Sequence, residues 1–273
     1  MTPRSFAQVD VFGAAPQRGN PVAVVLDAEG LDDEAMARFA NWTNLSETTF
    51  VLPPTAAGAD YRVRIFTPTV ELPFAGHPTL GTCHAWLESG DGHAGDTVVQ
   101  ECGVGLVTIR RTPEGLAFAA PPLLRDGPVD EALVGELAAA LRIPREEIVD
   151  AQWVDNGPGW VAVVLASADQ VLALAPGYLE MDIGVVGLHP DGSPEVRAFF
   201  PKDGVLMEDP VTGSLNASLA QWLVDSDRLS APYVARQGAA LGREGRVHVS
   251  RDADGTVWVA GATVTCISGS VAL

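Results

Sequence analysis

The stretch Glu71-Leu72-Pro73-Phe74-Ala75-Gly76-His77 returns in the second half of the chain as Glu208-Asp209-Pro210-Val211-Thr212-Gly213-Ser214. Both read Glu-x-Pro-x-x-Gly-polar, and both run into an apolar stretch ending in Trp-Leu, at Trp86-Leu87 and Trp222-Leu223. Two further landmarks keep the same order. Val22-Ala23-Val24-Val25-Leu26 recurs as Val161-Ala162-Val163-Val164-Leu165, and Arg64-x-Phe66-x-Pro68 recurs as Arg197-x-Phe199-x-Pro201. Apolar strand words recur by chance, but four landmarks in order at an offset of about 136 residues argue for two copies of one unit. A chain of 273 residues suits two units of about 130 residues, each large enough for its own core.

In each copy Pro and Gly stop one element, and the apolar run after them starts a helix. The first N–H groups of a helix have no intrahelical partners and lie at the positive end of its dipole, so each turn is a candidate anion site. Two copies related by a pseudo-twofold axis would bring the two helix N-termini face to face. The repeat therefore predicts a ligand site between the halves.

Composition narrows the ligand. With 35 acidic against 17 basic residues the net charge is −18, which repels a phosphate backbone or an anionic membrane surface. Nucleic acid and membrane are excluded as partners, and an anionic small-molecule substrate has to be held locally, by helix dipoles and a few donors. The three cysteines, Cys83, Cys102 and Cys266, form neither an even framework nor a CxxC pair, which suits a reducing compartment. No apolar signal core opens the chain and no stretch is long enough to span a bilayer. The expected location is the cytoplasm.

Alternating and β-branched runs predict strands at Ala7–Phe12, 22–26, 45–52, 61–66, 98–109 and 116–119 in the first half, with a helix over 31–44 and a Gly/Asp/His loop over 90–95. Pro121 to Pro128 reads as the linker. The second half predicts helices over 130–142 and 168–175, strands near 151–154, 160–165, 184–189 and 195–200, and then the second turn and helix. Strands at 246–250, 256–260 and 262–273 close the chain. Strands outnumber helices and short turns join many of them, so the class is α+β, with antiparallel-rich sheets curled around a helix.

Nucleotide-binding, zincin and esterase signatures are absent, since the chain contains no GxGxxG after a strand, no GxxxxGK[ST], no HExxH and no GxSxG. The five histidines do not fall at close metal-ligand spacings, and no metal is assigned. What remains is a set of polar residues at corners of an apolar scaffold: Glu47, His77, Asp209 and Ser214. Each has a purely structural alternative: a solvated glutamate, a capping or core histidine, an N-cap aspartate and a turn serine. A histidine at a helix N-terminus stays neutral at pH 7 and can donate or accept a proton. Cys83 lies inside the apolar run and reads as core.

Gly19-Asn20-Pro21-Val22-Ala23-Val24, Asn44-Leu45-Ser46-Glu47-Thr48-Thr49-Phe50-Val51, Arg64-Ile65-Phe66-Thr67-Pro68 and the two Glu-x-Pro turns follow one another in an order that resembles the phenazine-biosynthesis isomerase (PhzF-like) family. That family is a branch of the diaminopimelate epimerase fold, and the resemblance covers nearly the whole chain. It implies two pseudo-symmetric domains, each a sheet wrapped around a central helix: residues 1–122 joined by a last strand over 263–273, and residues 123–262. It further implies an active site in the cleft between them, a homodimer and no cofactor.

Carried over by position, the resemblance makes Glu47 the general acid/base and His77 and Asp209 its catalytic partners. Ser214 and the backbone N–H groups of Gly76 and Gly213 bind substrate. Related epimerases and racemases place a cysteine at each helix N-terminus, where this chain has Ala75 and Val211 or Pro210, so a two-thiol mechanism is not expected. Leu215 and Asn216 stand where the family pattern has small residues, which bears on substrate size. The expected reaction moves a proton between carbons of a small cyclic amino or hydroxy acid in secondary metabolism, such as phenazine or other antibiotic biosynthesis. Burial in a closing cleft would raise the Glu47 pKa toward neutrality. The rival readings are an amino-acid epimerase with a carboxyl base and a small-molecule binding protein without catalysis.

Overall fold

The computed structural model describes residues 2–90, 95–202 and 204–273. The predicted loop over 90–95, with His93, lies outside them except at its two ends. By contacts the chain divides into two compact units, Met1–Ala119 with Ala260–Leu273, and Ala120–Val259.

The first unit carries β1 (Pro3–Val11), β2 (Asn20–Val25), α1 (Asp33–Thr43), β3 (Glu47–Leu52), β4 (Tyr61–Phe66), β5 (Glu71–Leu72), α2 (Gly76–Glu88), β6 (Thr97–Cys102), β7 (Gly105–Thr112) and β8 (Gly115–Ala119). The second opens with β9 (Arg125–Pro128), α3 (Glu131–Leu141), β10 (Asp150–Asp155), β11 (Val161–Val164), α4 (Ala168–Ala173), β12 (Ile183–Leu188) and β13 (Pro194–Lys202). It continues through β14 (Val205–Asp209), α5 (Gly213–Asp225), β15 (Tyr233–Gln237) and β16 (Gly245–Arg251), and β17 (Val257–Gly261) runs across the boundary after Val259. β18 (Thr263–Ala272) belongs to the first unit, antiparallel to β1.

The repeat is visible in the pairing itself. β1 is antiparallel to β2, β2 parallel to β3, β3 antiparallel to β4, β4 parallel to β6, and β6 antiparallel to β7. β10, β11, β12, β13, β15 and β16 reproduce that order of senses strand for strand. Short β5 and β14 hang on β4 and β13 in the same way. The class is α+β, and its parallel pairs are single steps in sheets that are otherwise antiparallel.

Each unit is built around one helix. α2 is buried from Gly76 to Trp86 except at His84, and it touches β1, β2, β3, β6, β8 and β18. A helix apolar on every side belongs inside a sheet wrapped around it. α5 is buried in the same way from Gly213 to Leu223, with Ser214 and Gln221 the exceptions. A buried glutamine ties each central helix to its sheet. Gln100 on β6 donates to the Thr79 hydroxyl at 3.0 Å and accepts from Tyr61 at 3.0 Å. Gln237 on β15 accepts from Asn216 at 2.8 Å and from the Thr212 backbone N–H at 3.0 Å. Leaving either amide without partners would cost about 1–3 kcal/mol, so these bonds fix how the helix sits.

Several expectations are corrected. The strand predicted over 98–109 is a hairpin, β6 and β7, which turns at Gly103-Val104 before Gly105 with φ 102. The linker contains β9, antiparallel to β10. β15 has no counterpart among the predicted elements.

Candidate active site

Glu47 is the first residue of β3 and lies beside Val22 in the parallel β2–β3 register. His77 is the second residue of α2, whose N-cap, Ala75, is extended and offers no side-chain cap. The start of this helix therefore keeps donors for another acceptor. Glu47 Oε2 and His77 Nε2 stand 3.3 Å apart, with the side chains 14% and 5% exposed. That separation lies just beyond the usual N–H···O range of about 2.7–3.2 Å.

The β1–β2 connection holds the other side of the ring. The buried Asp10 carboxylate accepts from the backbone N–H groups of Arg18 and Gly19, both at 2.7 Å. This fixes Asn20, whose Nδ2 lies 3.5 Å from His77 Nδ1. Burial pushes the His77 pKa down to about 3, against a smaller opposing effect of a hydrogen bond to the Pro21 carbonyl. The imidazole is therefore held neutral at and around pH 7.

A folded-state pKa below that of the unfolded chain means that acid protonates the unfolded form first, so stability is lost as pH falls from about 6.5 toward 3. His77 ring resonances are expected to show no titration between about pH 8 and about pH 5, while His77→Gln flattens the acid limb of the stability curve. Titration of His77 with an ordinary midpoint would contradict this.

The second unit repeats the construction with different chemistry. Asp209 ends β14, and its Oδ2 accepts from the Thr212 hydroxyl at 2.5 Å. Thr212 is the N-cap of α5 and its side chain makes no cap bond, so Gly213 and Ser214 open a second helix without a side-chain cap. Asp155 accepts from the N–H groups of Gly157 and Gly159, both at 2.7 Å, as Asp10 does from Arg18 and Gly19. Trp160 then donates Nε1–H to Ser214 Oγ at 3.1 Å, and Asn156 donates to the Ser214 carbonyl at 2.9 Å.

Among the predicted residues, Glu47 and His77 come together in the first unit, and Asp209, Gly213 and Ser214 gather at the start of α5 in the second. Gly76 opens α2 beside His77. Two details are corrected. The cap position in the second unit is Thr212 rather than Val211 or Pro210, and neither helix has a thiol there. Leu215 and Asn216, expected to bear on substrate size, are core residues. Leu215 is fully buried over Gly184, where a Cβ would lie 2.3 Å from its Cδ1, and Asn216 is tied to Thr212 and Gln237. The Asp155-Asn156-Gly157-Pro158-Gly159-Trp160 turn was missed, although its two glycines in a Pro-containing run before a repeated strand word marked it as a built turn.

Residues 9–269 match the family described as phenazine biosynthesis-like protein, PhzC-PhzF. The chain is 38% identical over 296 aligned residues to antisense-enhancing sequence 1 of Schizosaccharomyces pombe, covering 98% of this chain and 99% of that protein. It is 35% identical to the trans-2,3-dihydro-3-hydroxyanthranilate isomerase of Pseudomonas aeruginosa, covering 92% of this chain and 91% of that enzyme. A Bacillus anthracis PhzF-family crystal structure superposes with a TM-score of 0.84 at 24% identity, over the full length of both chains. Family match, full-length similarity and shared fold agree: the chain is an isomerase of the phenazine biosynthesis-like, PhzC-PhzF family.

Proposed function

We propose that the enzyme moves a proton between two carbons of a small cyclic amino or hydroxy acid, with Glu47 as the group that takes the proton and returns it. The observation that carries the reading is the Glu47–His77 pair, 3.3 Å apart beside a helix start without a side-chain cap, with the imidazole neutral. Glu47 as carboxylate removes a proton from a carbon next to an unsaturated or carbonyl group, leaving an enolate or dienolate. The same carboxyl then delivers that proton to a second carbon, so the electron pair shifts within the substrate and no redox partner is needed. His77 relays or steadies the proton, Asp209 holds amine or hydroxyl groups, and Ser214 with the N–H groups of Gly76 and Gly213 binds the carboxylate.

Dihydro-hydroxyanthranilate-type acids are the first substrates to try, because relatives at 35% identity bear that isomerase name. Alkylproline-type precursors are second. The enzyme is proposed to act as a homodimer in the cytoplasm, where the three free thiols stay reduced. Incubation with such acids in deuterated water should give products with one carbon-bound deuterium and a displaced double bond. Deuterium at a stereocentre without bond migration would instead establish an epimerase, and no carbon-bound deuterium with any cyclic acid would leave only a binding protein.

A further inference from the structure

We propose that the first unit carries a second small-molecule site, on the outer face of its sheet, which takes an amphipathic monocarboxylate. A cavity of about 480 Å³ opens there, within the size range of ligand pockets. Leu31, Met36, Leu52 and Pro53 supply its apolar lining, and Arg62 and Arg64 line it from β4. Tyr61, Val63 and Ile65 of that strand are buried toward the core, so the alternation of the strand puts both arginines on the opposite face.

The two arginines are not equivalent. Arg64 is committed, donating from Nε and Nη2 to Glu71 at 2.7 Å each and from Nη1 to Asp33 at 2.5 Å. The natural partner of Arg62 is Glu101, its neighbour in the parallel β4–β6 register. The Glu101 charge still acts on Arg62, but its oxygens are hydrogen-bonded by the loop that walls the cavity: by the N–H groups of Thr55 and Ala56, at 2.6 Å and 2.9 Å, and by the Thr55 hydroxyl. Arg62 Nε is buried without a hydrogen-bond acceptor among the described residues. Because Arg62 lines the cavity while its Nε is sealed, a carboxylate with a hydrocarbon body would meet the guanidinium through its outer nitrogens and lay its chain on the apolar lining. Exposed Glu29 on the rim disfavours a ligand of higher negative charge.

The repeat supplies an internal comparison. The positions of Arg62 and Arg64 are occupied in β13 by Glu195 and Arg197, and Arg197 there donates to the Val171 and Leu174 carbonyls at the end of α4. In the second unit the charge at the first position is reversed and the second arginine is sealed beneath a helix. The cavity is therefore a property of the first unit, not a consequence of the shared topology.

The chain has four methionines, and Met36 lines the cavity, whereas Met181 and Met207 lie in the second unit. Methyl-labelled protein titrated with sodium hexanoate should show a saturating shift of Met36 alone. Hexan-1-ol, which lacks the carboxylate, and inorganic phosphate, which lacks the chain, should each bind at least about tenfold more weakly. Glu47→Gln should leave the titration unchanged, which separates this site from the proton-transfer machinery. Arg62→Gln should weaken hexanoate at least about tenfold, with Arg62→Lys between. The proposal is overturned if Met36 does not respond, if hexanol or phosphate matches hexanoate, or if folded Arg62→Gln binds as wild type. Should Arg62→Gln fail to fold, the comparison of hexanoate with hexanol on the wild-type protein decides.

Discussion

Glu47→Gln is expected to lower turnover by about 10²–10⁴-fold, the usual contribution of a positioned acid/base, with much less effect on ligand affinity. The amide keeps the size of the side chain and can still meet His77, but it cannot take up a proton from carbon. Glu47 starts a strand whose next residues, Thr48 to Leu52, are buried, so the substitution at the partly open first position should leave the fold intact. Steady-state kcat and KM, together with the rate of deuterium exchange into substrate, measure the effect. A Glu47→Gln enzyme that keeps a tenth or more of its turnover would remove Glu47 from the reaction and throw the chemistry onto another group.

Breaking the Arg197–Glu208 pair is expected to have the largest effect on stability, about 3–5 kcal/mol for Arg197→Ala, because the change strands a buried carboxylate. Arg197 Nε and Nη2 meet Glu208 at 3.0 Å and 2.6 Å, and the two side chains are only 7% and 9% exposed. The first unit holds the same fork at Arg64 and Glu71, with both contacts at 2.7 Å but with exposures of 23% and 42%. Water screens that copy, and Arg64→Ala should cost about 1 kcal/mol or less. Urea unfolding of the two variants compares the buried fork, whose arginine also bonds the Val171 and Leu174 carbonyls, with the screened one, whose arginine also bonds Asp33. Equal losses would mean that the fork itself, rather than its desolvation, sets the cost.

The repeat was readable because it lies in words that neighbouring residues make together. Glu-x-Pro-x-x-Gly fixes a turn and a helix start by local sterics, and Val22–Leu26 with its twin fixes a buried strand by composition. The α1 signal was equally local, with Asp32 accepting from the Ala35 N–H as N-cap. β15 could not be read in the same way. Tyr233-Val234-Ala235-Arg236-Gln237 is short, half polar and becomes a strand by pairing with β16, which follows it closely, and with β13, which lies on the far side of α5 in the sequence. Its last residue, Gln237, holds the Asp209–Thr212 corner, so part of the candidate site depends on a contact that no local pattern announces. Glu47 and His77 were both identifiable from their motifs, but their separation of 3.3 Å follows from the packing of α2 against β2 and β3 and could only be measured.

The return of β18 to β1, closed by the Thr2 N–H bonding to the Leu273 carbonyl at 2.9 Å, bears on how the chain is made. On a ribosome the unit encoded first has to wait for its last strand until the whole of the other unit has emerged, whereas the middle of the chain is complete once Val259 is out. The usual order of vectorial folding is thereby inverted. The half that carries Glu47 and His77 is the last to be completed, so a nascent chain cannot bring these two residues together on a finished scaffold before synthesis has passed residue 272.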